Sequence, residues 1–216
     1  MSLLLAAVLF AVAPAGPPVE PGPFRAPELV ELTTLEPGIR LDVRYARSDN
    51  FLGQPVYREA RAFLQRPAAE ALVRAHRKLA EKGYGLMVFD GYRPWSVTKA
   101  FWDATPDEKK VFVANPARGS RHNRGCAVDV TLYHLDTGKA ADMGSVYDEA
   151  SPRSYVTWEG GTPEQLARRE PLRDALAREG FFVYSWEWWH FDFKDWRDYP
   201  VLNVPFEEIG RSAPAR

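Results

Sequence analysis

The sequence predicts an α+β domain with a mainly antiparallel central sheet and flanking helices, and three features carry that expectation. Cys126 to Tyr133 alternates, with Cys126, Val128, Val130 and Leu132 on one face and Ala127, Asp129, Thr131 and Tyr133 on the other. That strand runs into Asp136-Thr137-Gly138-Lys139, a turn that suggests a hairpin. Helical signals are grouped between the strands and do not follow each one in turn.

Ala68 to Lys82 places Leu72, His76, Leu79 and Ala80 at helical spacing, with Gly83 as the C-terminal cap. Gly85 to Phe89 then reads as a short apolar strand that ends in Asp90-Gly91-Tyr92-Arg93-Pro94. Pro94 suits the first turn of a helix through Trp102, because its missing N–H would be unpaired there anyway. Thr162-Pro163-Glu164 is a second helix start, with Thr as N-cap. Pro171 either breaks that helix or opens another, which runs to Gly180. Phe181 to Phe193 is aromatic-rich and strand-like.

With 216 residues, 45% of them hydrophobic and 26% charged, the chain is long enough for one domain with a full core. Its net charge of -1 offers no general attraction to nucleic acid or to anionic lipid. Cys126 is the single cysteine, so an intrachain disulfide is excluded. Leu3 to Val12 is an unbroken apolar run followed by small residues, which reads as an export signal over residues 1–15. The run is too short to span a bilayer, which takes about 20 apolar residues, so no stable membrane insertion is expected once the signal is removed. The expected location is the periplasm or cell envelope, or the cytoplasm if the run is no signal. Six prolines between Pro14 and Pro27 mark residues 16–28 as an extended linker. The domain is expected over 29–209, with a fraying tail at 210–216.

His122 lies in a loop and Asp129 on the strand seven positions on. A carboxylate in an apolar strand is costly to bury unless something positive pairs with it. A divalent cation would serve, since imidazole plus carboxylate is an ordinary zinc shell; a salt bridge from Asp129 to an Arg would serve as well. In Glu187-Trp188-Trp189-His190 the histidine offers a third ligand and Glu187 a general base, although that segment alone reads rather as a surface Glu and a hydrogen-bonded core His. Residues three apart face opposite ways on an ideal strand, so Glu187 would need a strand end or a bulge to reach a shared site. Arg93 suits an oxyanion or a substrate carboxylate through its fork of donors, or a structural pairing with Asp90.

These stretches together resemble the D-alanyl-D-alanine dipeptidase family, the vancomycin-resistance type of zinc dipeptidase. The resemblance is carried by Ser120 to Asp129 (S-x-H-x-x-G-x-A-x-D), Glu187 to His190 (E-x-W-H) and Asp90 to Pro94. Thr131-Leu132-Tyr133, Leu135 to Gly138, Tyr45-Ala46 through Asp49-Asn50-Phe51, and Met143-Gly144-Ser145 leading to Asp148 also fit. The first two patterns are shared with zinc D,D-carboxypeptidases. The resemblance implies the fold of hedgehog-like domains and D,D-peptidases, with one zinc ion per chain on His122, Asp129 and His190. It implies Glu187 as general base and acid, Arg93 at the transition state, Asp148 and Tyr45 on the substrate's amino group, and Ser120 near its carboxylate. The implied partner is a small dipeptide. The proline-rich leader and the sequence after Asp148-Glu149-Ala150-Ser151 depart from the family pattern.

Two rival functions keep the same ligands: a zinc D,D- or L,D-carboxypeptidase acting on peptidoglycan stem peptides, and a non-catalytic zinc-binding module. Cys126, on the face opposite Asp129, is expected to be a buried apolar residue and no nucleophile. His76 is expected on a helix face, and the seven tryptophans in core and cleft wall.

Overall fold

Residues 16–210 are described by the computed structural model. In chain order they form β1 (Leu29–Glu31), α1 (Leu32–Leu35), β2 (Arg40–Leu41), β3 (Phe63–Gln65), α2 (Arg66–Ala80), β4 (Tyr84–Asp90) and α3 (Trp95–Ala104). There follow β5 (Ala127–His134), α4 (Pro163–Arg178), β6 (Phe181–Tyr184) and β7 (Glu187–Phe193). The main sheet has the order β2-β4-β5-β7-β6. Only the short β2 pairs in parallel, so the sheet is mainly antiparallel. Strands β1 and β3 form a separate antiparallel ribbon.

The alternation in β5 divides the molecule into a packed face and a chemical face. Leu132 and Val130 stand opposite Leu86 and Val88 of β4, and Val128 stands opposite Phe191 of β7. Helix α2 lays Ala68, Leu72, Ala75 and Leu79 into that cluster, and α4 adds Leu172 and Leu176. Each fully buried Leu or Val contributes about 1.5–3 kcal/mol of transfer free energy, which fixes the strand register firmly. The other face carries Asp129 and Thr131, and beside it lies a second cluster that includes Tyr45, Tyr57, Tyr92 and Phe101.

Several elements differ from their sequence reading. Helix α2 begins at Arg66, two residues early, because Pro67 is at home in the first turn. Helix α4 runs unbroken through Pro171; it keeps Leu172 and Leu176 buried in the turns that follow the lost hydrogen bond. The turn after Asp136 returns only as an isolated pairing of Tyr133 with Ala140, not as a second strand. His76 is a buried core residue, whose Nδ1 accepts the Leu86 N–H at 3.1 Å.

The stretch 16–28 has no helix or strand, yet it is fastened to the domain. Arg25 N–H donates to Asp198 O at 2.8 Å, and the Glu20 carboxylate accepts from Val201 N–H at 3.0 Å and from the Arg124 guanidinium. Residues 1–15, where the export signal is expected, and 211–216 of the tail lie outside the described residues. Among the described residues no helix is long and apolar enough to cross a membrane.

Candidate active site

A cleft of about 870 Å3 opens on the chemical face of the sheet. Its lining includes all eight residues singled out from the sequence: Tyr45, Arg93, Ser120, His122, Asp129, Asp148, Glu187 and His190. The two motif segments, 68 positions apart at their histidines, meet because β5 and β7 are neighbours and Asp129 is the Cα partner of His190.

His122 stands in a single 3₁₀ turn, His122–Arg124. Ser120 Oγ accepts the His122 N–H at 3.2 Å at the start of the turn, and Gly125, at φ 66°, ends it. A Cβ on Gly125 would come within 2.6 Å of Leu29 Cδ2, so glycine is needed there for space as well as for conformation. The His122 Nδ1 is 2.7 Å from Gly91 O, and donating to that carbonyl leaves Nε2 as an acceptor facing the cleft. Gly91 can supply the carbonyl because it has no side chain: a Cβ would lie 2.7 Å from Phe63 O.

His190 is fixed in the complementary way. Its Nε2 lies 3.0 Å from Asp192 Oδ1, which leaves Nδ1 directed at Asp129 and His122. His122 Nε2, His190 Nδ1 and Asp129 Oδ1 are separated by 3.1, 3.0 and 3.4 Å. A tetrahedral zinc with ligands at 2.0–2.2 Å has edges of about 3.4 Å, so these donors are spaced as its first shell requires. Two ring nitrogens and a carboxylate oxygen in buried contact repel one another unless positive charge sits among them. The surrounding charges show how strongly they draw it. Burial alone would lower the His190 imidazolium, but Asp129 and Asp192 outweigh burial and raise it to about 10. Burial would raise Asp129, yet the two imidazoles hold its carboxyl far below the usual range.

Glu187 reaches the same site because β7 bulges. One step along β6, from Val183 to Tyr184, is matched by four along β7, from Phe191 to Glu187. The bulge cancels the opposite facing expected of residues three apart, and Glu187 Oε2 lies 3.8 Å from His190 Nδ1. Burial, with Asp129 adding to it, pushes the Glu187 carboxyl up to about 7. A carboxylate poised there takes up and releases a proton near neutral pH.

Arg93 leaves the end of β4 with Nε 2.8 Å from Asp90 Oδ2, and Tyr57 OH holds the other Asp90 oxygen at 2.9 Å. The pairing with Asp90 expected as a structural alternative is therefore present, and it aims the guanidinium. Arg93 lies over the Phe101 ring at 4.8 Å and comes within 3.8 Å of Asp129 Oδ2. Burial would lower its pKa, but the negative neighbours, Asp90 first, keep the group charged.

Across the cleft, Asp148 accepts from Tyr45 OH at 2.7 Å. It is the one non-glycine residue with positive φ among the described residues, at 60°, a strained conformation of the kind that gathers at binding sites. Burial pushes its carboxyl up to about 7, against the Tyr45 hydrogen bond. A buried carboxylate without a cation of its own is suited to a substrate ammonium.

Three residues that matter here, Asp192, Tyr147 and Tyr57, were not singled out from the sequence, whereas Asp90 was, as a partner for Arg93. Asp192 orients His190 and pairs with Arg121 at 3.2 Å. Tyr147 OH bridges Asp129 Oδ2 at 2.9 Å and the Tyr45 hydroxyl at 3.2 Å. Asp90 and Tyr57 aim Arg93. Asp192 was legible, since it follows His190 by two, the spacing that places both on one strand face. Cys126 is buried away from the cleft, and burial pushes its thiol well up, which leaves it unsuited to nucleophilic attack.

A family model described as D-ala-D-ala dipeptidase matches residues 25–208. The D-alanyl-D-alanine dipeptidase of Enterococcus faecium is 37% identical over 188 residues, which cover 79% of this chain and 92% of that protein. The enzyme of that name from Escherichia coli is 35% identical over 180 residues, covering 83% and 91%. Among solved structures, the LdcB LD-carboxypeptidase is similar at a TM-score of 0.43 and 19% identity, covering 89% of this chain and 83% of that one.

Proposed function

This chain belongs to the D-Ala-D-Ala dipeptidase family of metallopeptidases, and from that premise we propose that it hydrolyses free D-alanyl-D-alanine in a zinc-dependent reaction. The observation that carries the reading is the convergence of His122 Nε2, Asp129 Oδ1 and His190 Nδ1, with Glu187 and Arg93 beside them and Asp148 across the cleft. A zinc ion on those three donors supplies a Lewis acid that polarises the scissile carbonyl and makes water acidic near neutral pH.

The chain's own groups do the rest. Glu187 takes the proton of the attacking water and delivers it to the departing amine, a shuttle suited to a carboxyl raised to about 7. Arg93, kept charged and aimed by Asp90, stabilises the oxyanion as it forms. Asp148 and Tyr45 hold the free ammonium, and Ser120 stands near the carboxylate. A peptide acylated at its amine would leave Asp148 buried without a cation, which is a penalty and hence a source of selectivity.

Cleft size favours a second reading. About 870 Å3 is more than two alanines fill, and it would admit a peptidoglycan stem peptide cut by carboxypeptidase action. A panel of D-Ala-D-Ala, N-acylated D-Ala-D-Ala and stem peptides, run with and without a chelator, separates the two. Release of alanine from the free dipeptide alone, abolished by the chelator, supports the dipeptidase; turnover of only the acylated substrates supports the carboxypeptidase. The run Leu3 to Val12 supports export to the cell envelope. Recovery of full-length protein solely from the cytoplasmic fraction would overturn that part.

A further inference from the structure

Between the Ala140 bridge and α4, the chain carries Asp148 into the cleft on a segment with little regular structure of its own. A single 3₁₀ turn at Pro152–Ser154 is its one regular element. Asp148 nevertheless keeps a left-handed backbone and a buried carboxyl there. Within the segment Arg153 Nε donates to Gly144 O at 3.2 Å and Ser154 Oγ donates to Glu149 O, and a further hold comes from outside it.

That role falls to Arg169, midway along α4. Its Nε donates to Met143 O at 2.8 Å, one terminal nitrogen to Tyr155 O at 3.2 Å and the other to Arg153 O at 3.1 Å. The three carbonyls lie on both sides of Asp148 in the chain, so one guanidinium ties the segment's two limbs together. The Arg169 guanidinium also lies 5.2 Å from the ring centres of Trp158 and Trp188. Trp188 is next to Glu187 on β7 and donates its indole N–H to Ser145 Oγ at 2.7 Å, which binds the same segment to the strand of the general base. The charge is stabilised mainly by carbonyl dipoles and ring faces, with Glu149 adding a weaker attraction and no carboxylate within salt-bridge distance among the described residues. Half-burial accordingly lowers its pKa to about 10, with the nearby Arg153 charge adding to the effect.

We infer that Arg169 is a positioning residue for substrate-amine recognition: by gathering the Met143, Arg153 and Tyr155 carbonyls it holds the segment in the one conformation that presents Asp148 to the cleft. Arginine suits the task because its planar fork reaches three acceptors at once, whereas an ammonium is a compact point charge on a flexible stem. The inference rests on the reading that Asp148 receives the substrate's free ammonium.

The test is steady-state kinetics of the full zinc-loaded chain on D-Ala-D-Ala for Arg169→Lys, Arg169→Gln, Asp148→Asn and the double variant Arg169→Lys with Asp148→Asn. Zinc content and Tm are measured beside it. The expected result is that either Arg169 variant raises KM about tenfold, the weight of one hydrogen bond to a charged group, with kcat and zinc content little changed. In the Asp148→Asn background, Arg169→Lys should add nothing further to KM. If Arg169→Gln does not fold, Arg169→Lys keeps the charge and the stem and still gives the answer. A fall in Tm with KM unchanged, while Asp148→Asn raises KM, overturns the inference and leaves the amine reading standing. If Asp148→Asn leaves KM unchanged, the amine reading fails and this inference with it.

Discussion

Asp129 and His190 stand as Cα partners on adjacent strands, whereas Asp148, across the same cleft, sits on an irregular segment with φ 60° tied down from α4. The strand pair inherits its geometry from the core, because any slip of register would carry Val128 and Phe191 out of their cluster. The Asp148 segment inherits its geometry from side chains, chiefly Arg169 and the Tyr45 hydroxyl. On the proposed reading, chemistry is built on the half held by the sheet and recognition on the half held by side chains. Changes on one side should alter the reaction step, and changes on the other should alter which substrate is admitted.

The largest effects are expected on the strand side. Asp129→Asn or His190→Ala should abolish stoichiometric zinc binding, measured by metal analysis after dialysis, and activity with it. Glu187→Gln should keep the zinc and lower kcat by roughly 10²–10⁴-fold, the usual weight of a general base. Equal loss of zinc in Glu187→Gln would show that Glu187 belongs to the ligand set. Arg93→Ala comes next, with a drop of about 10²–10³-fold in kcat on the scale of a lost oxyanion donor.

On the loop side the expectation is smaller and of another kind. Asp148→Asn should raise KM for the free dipeptide by about 10–100-fold, as for a lost charged hydrogen bond, with kcat nearly preserved. The Asp148 carboxyl is raised by burial to about 7, and only its ionised form pairs with an ammonium. KM should therefore rise as pH falls below about 7, and Asp148→Asn should flatten that rise. A KM independent of pH in the native chain would erase the division between the two halves.

The smallest effect lies outside both halves. Burial lowers the pKa of His76 in the folded chain, so the unfolded state binds the proton first as pH falls. Its contribution to stability is fully present above the ordinary histidine value and is lost as pH drops toward the folded one, at no more than about 1.4 kcal/mol per pH unit. Urea unfolding between pH 7 and pH 5 should show a shallower loss for His76→Gln than for the native chain. The cleft chemistry at pH 7 should be untouched.

The same division governs what the sequence made legible. The β5 alternation, the helix capped near Gly83 and the strand ending at Asp90 were readable because hydrophobic period and turn residues act locally. The convergence of His122, Asp129 and His190 was readable because compact motifs on β5, on β7 and in the turn before β5 carry them. The parallel pairing of β2 with β4 and the β1–β3 ribbon were not readable, since two- and three-residue strands leave no period to detect. Pro171 was ambiguous because packing of Leu172 and Leu176 overrides a local helix breaker. The helix face of His76 was readable, but not its partner, since periodicity gives the face of a helix and not the group that covers it. Tyr57, Tyr147 and Arg169 act through contacts at long range in the chain, to which no local pattern points.

The most direct test is zinc titration of metal-stripped protein, with hydrolysis of D-Ala-D-Ala and of its N-acetyl form followed in parallel. Activity should saturate at one zinc per chain, and the free dipeptide should be turned over at least about 10²-fold better, the discrimination expected when a buried carboxylate loses its cation. Equal turnover of the two substrates, or activity that does not follow zinc, would contradict it.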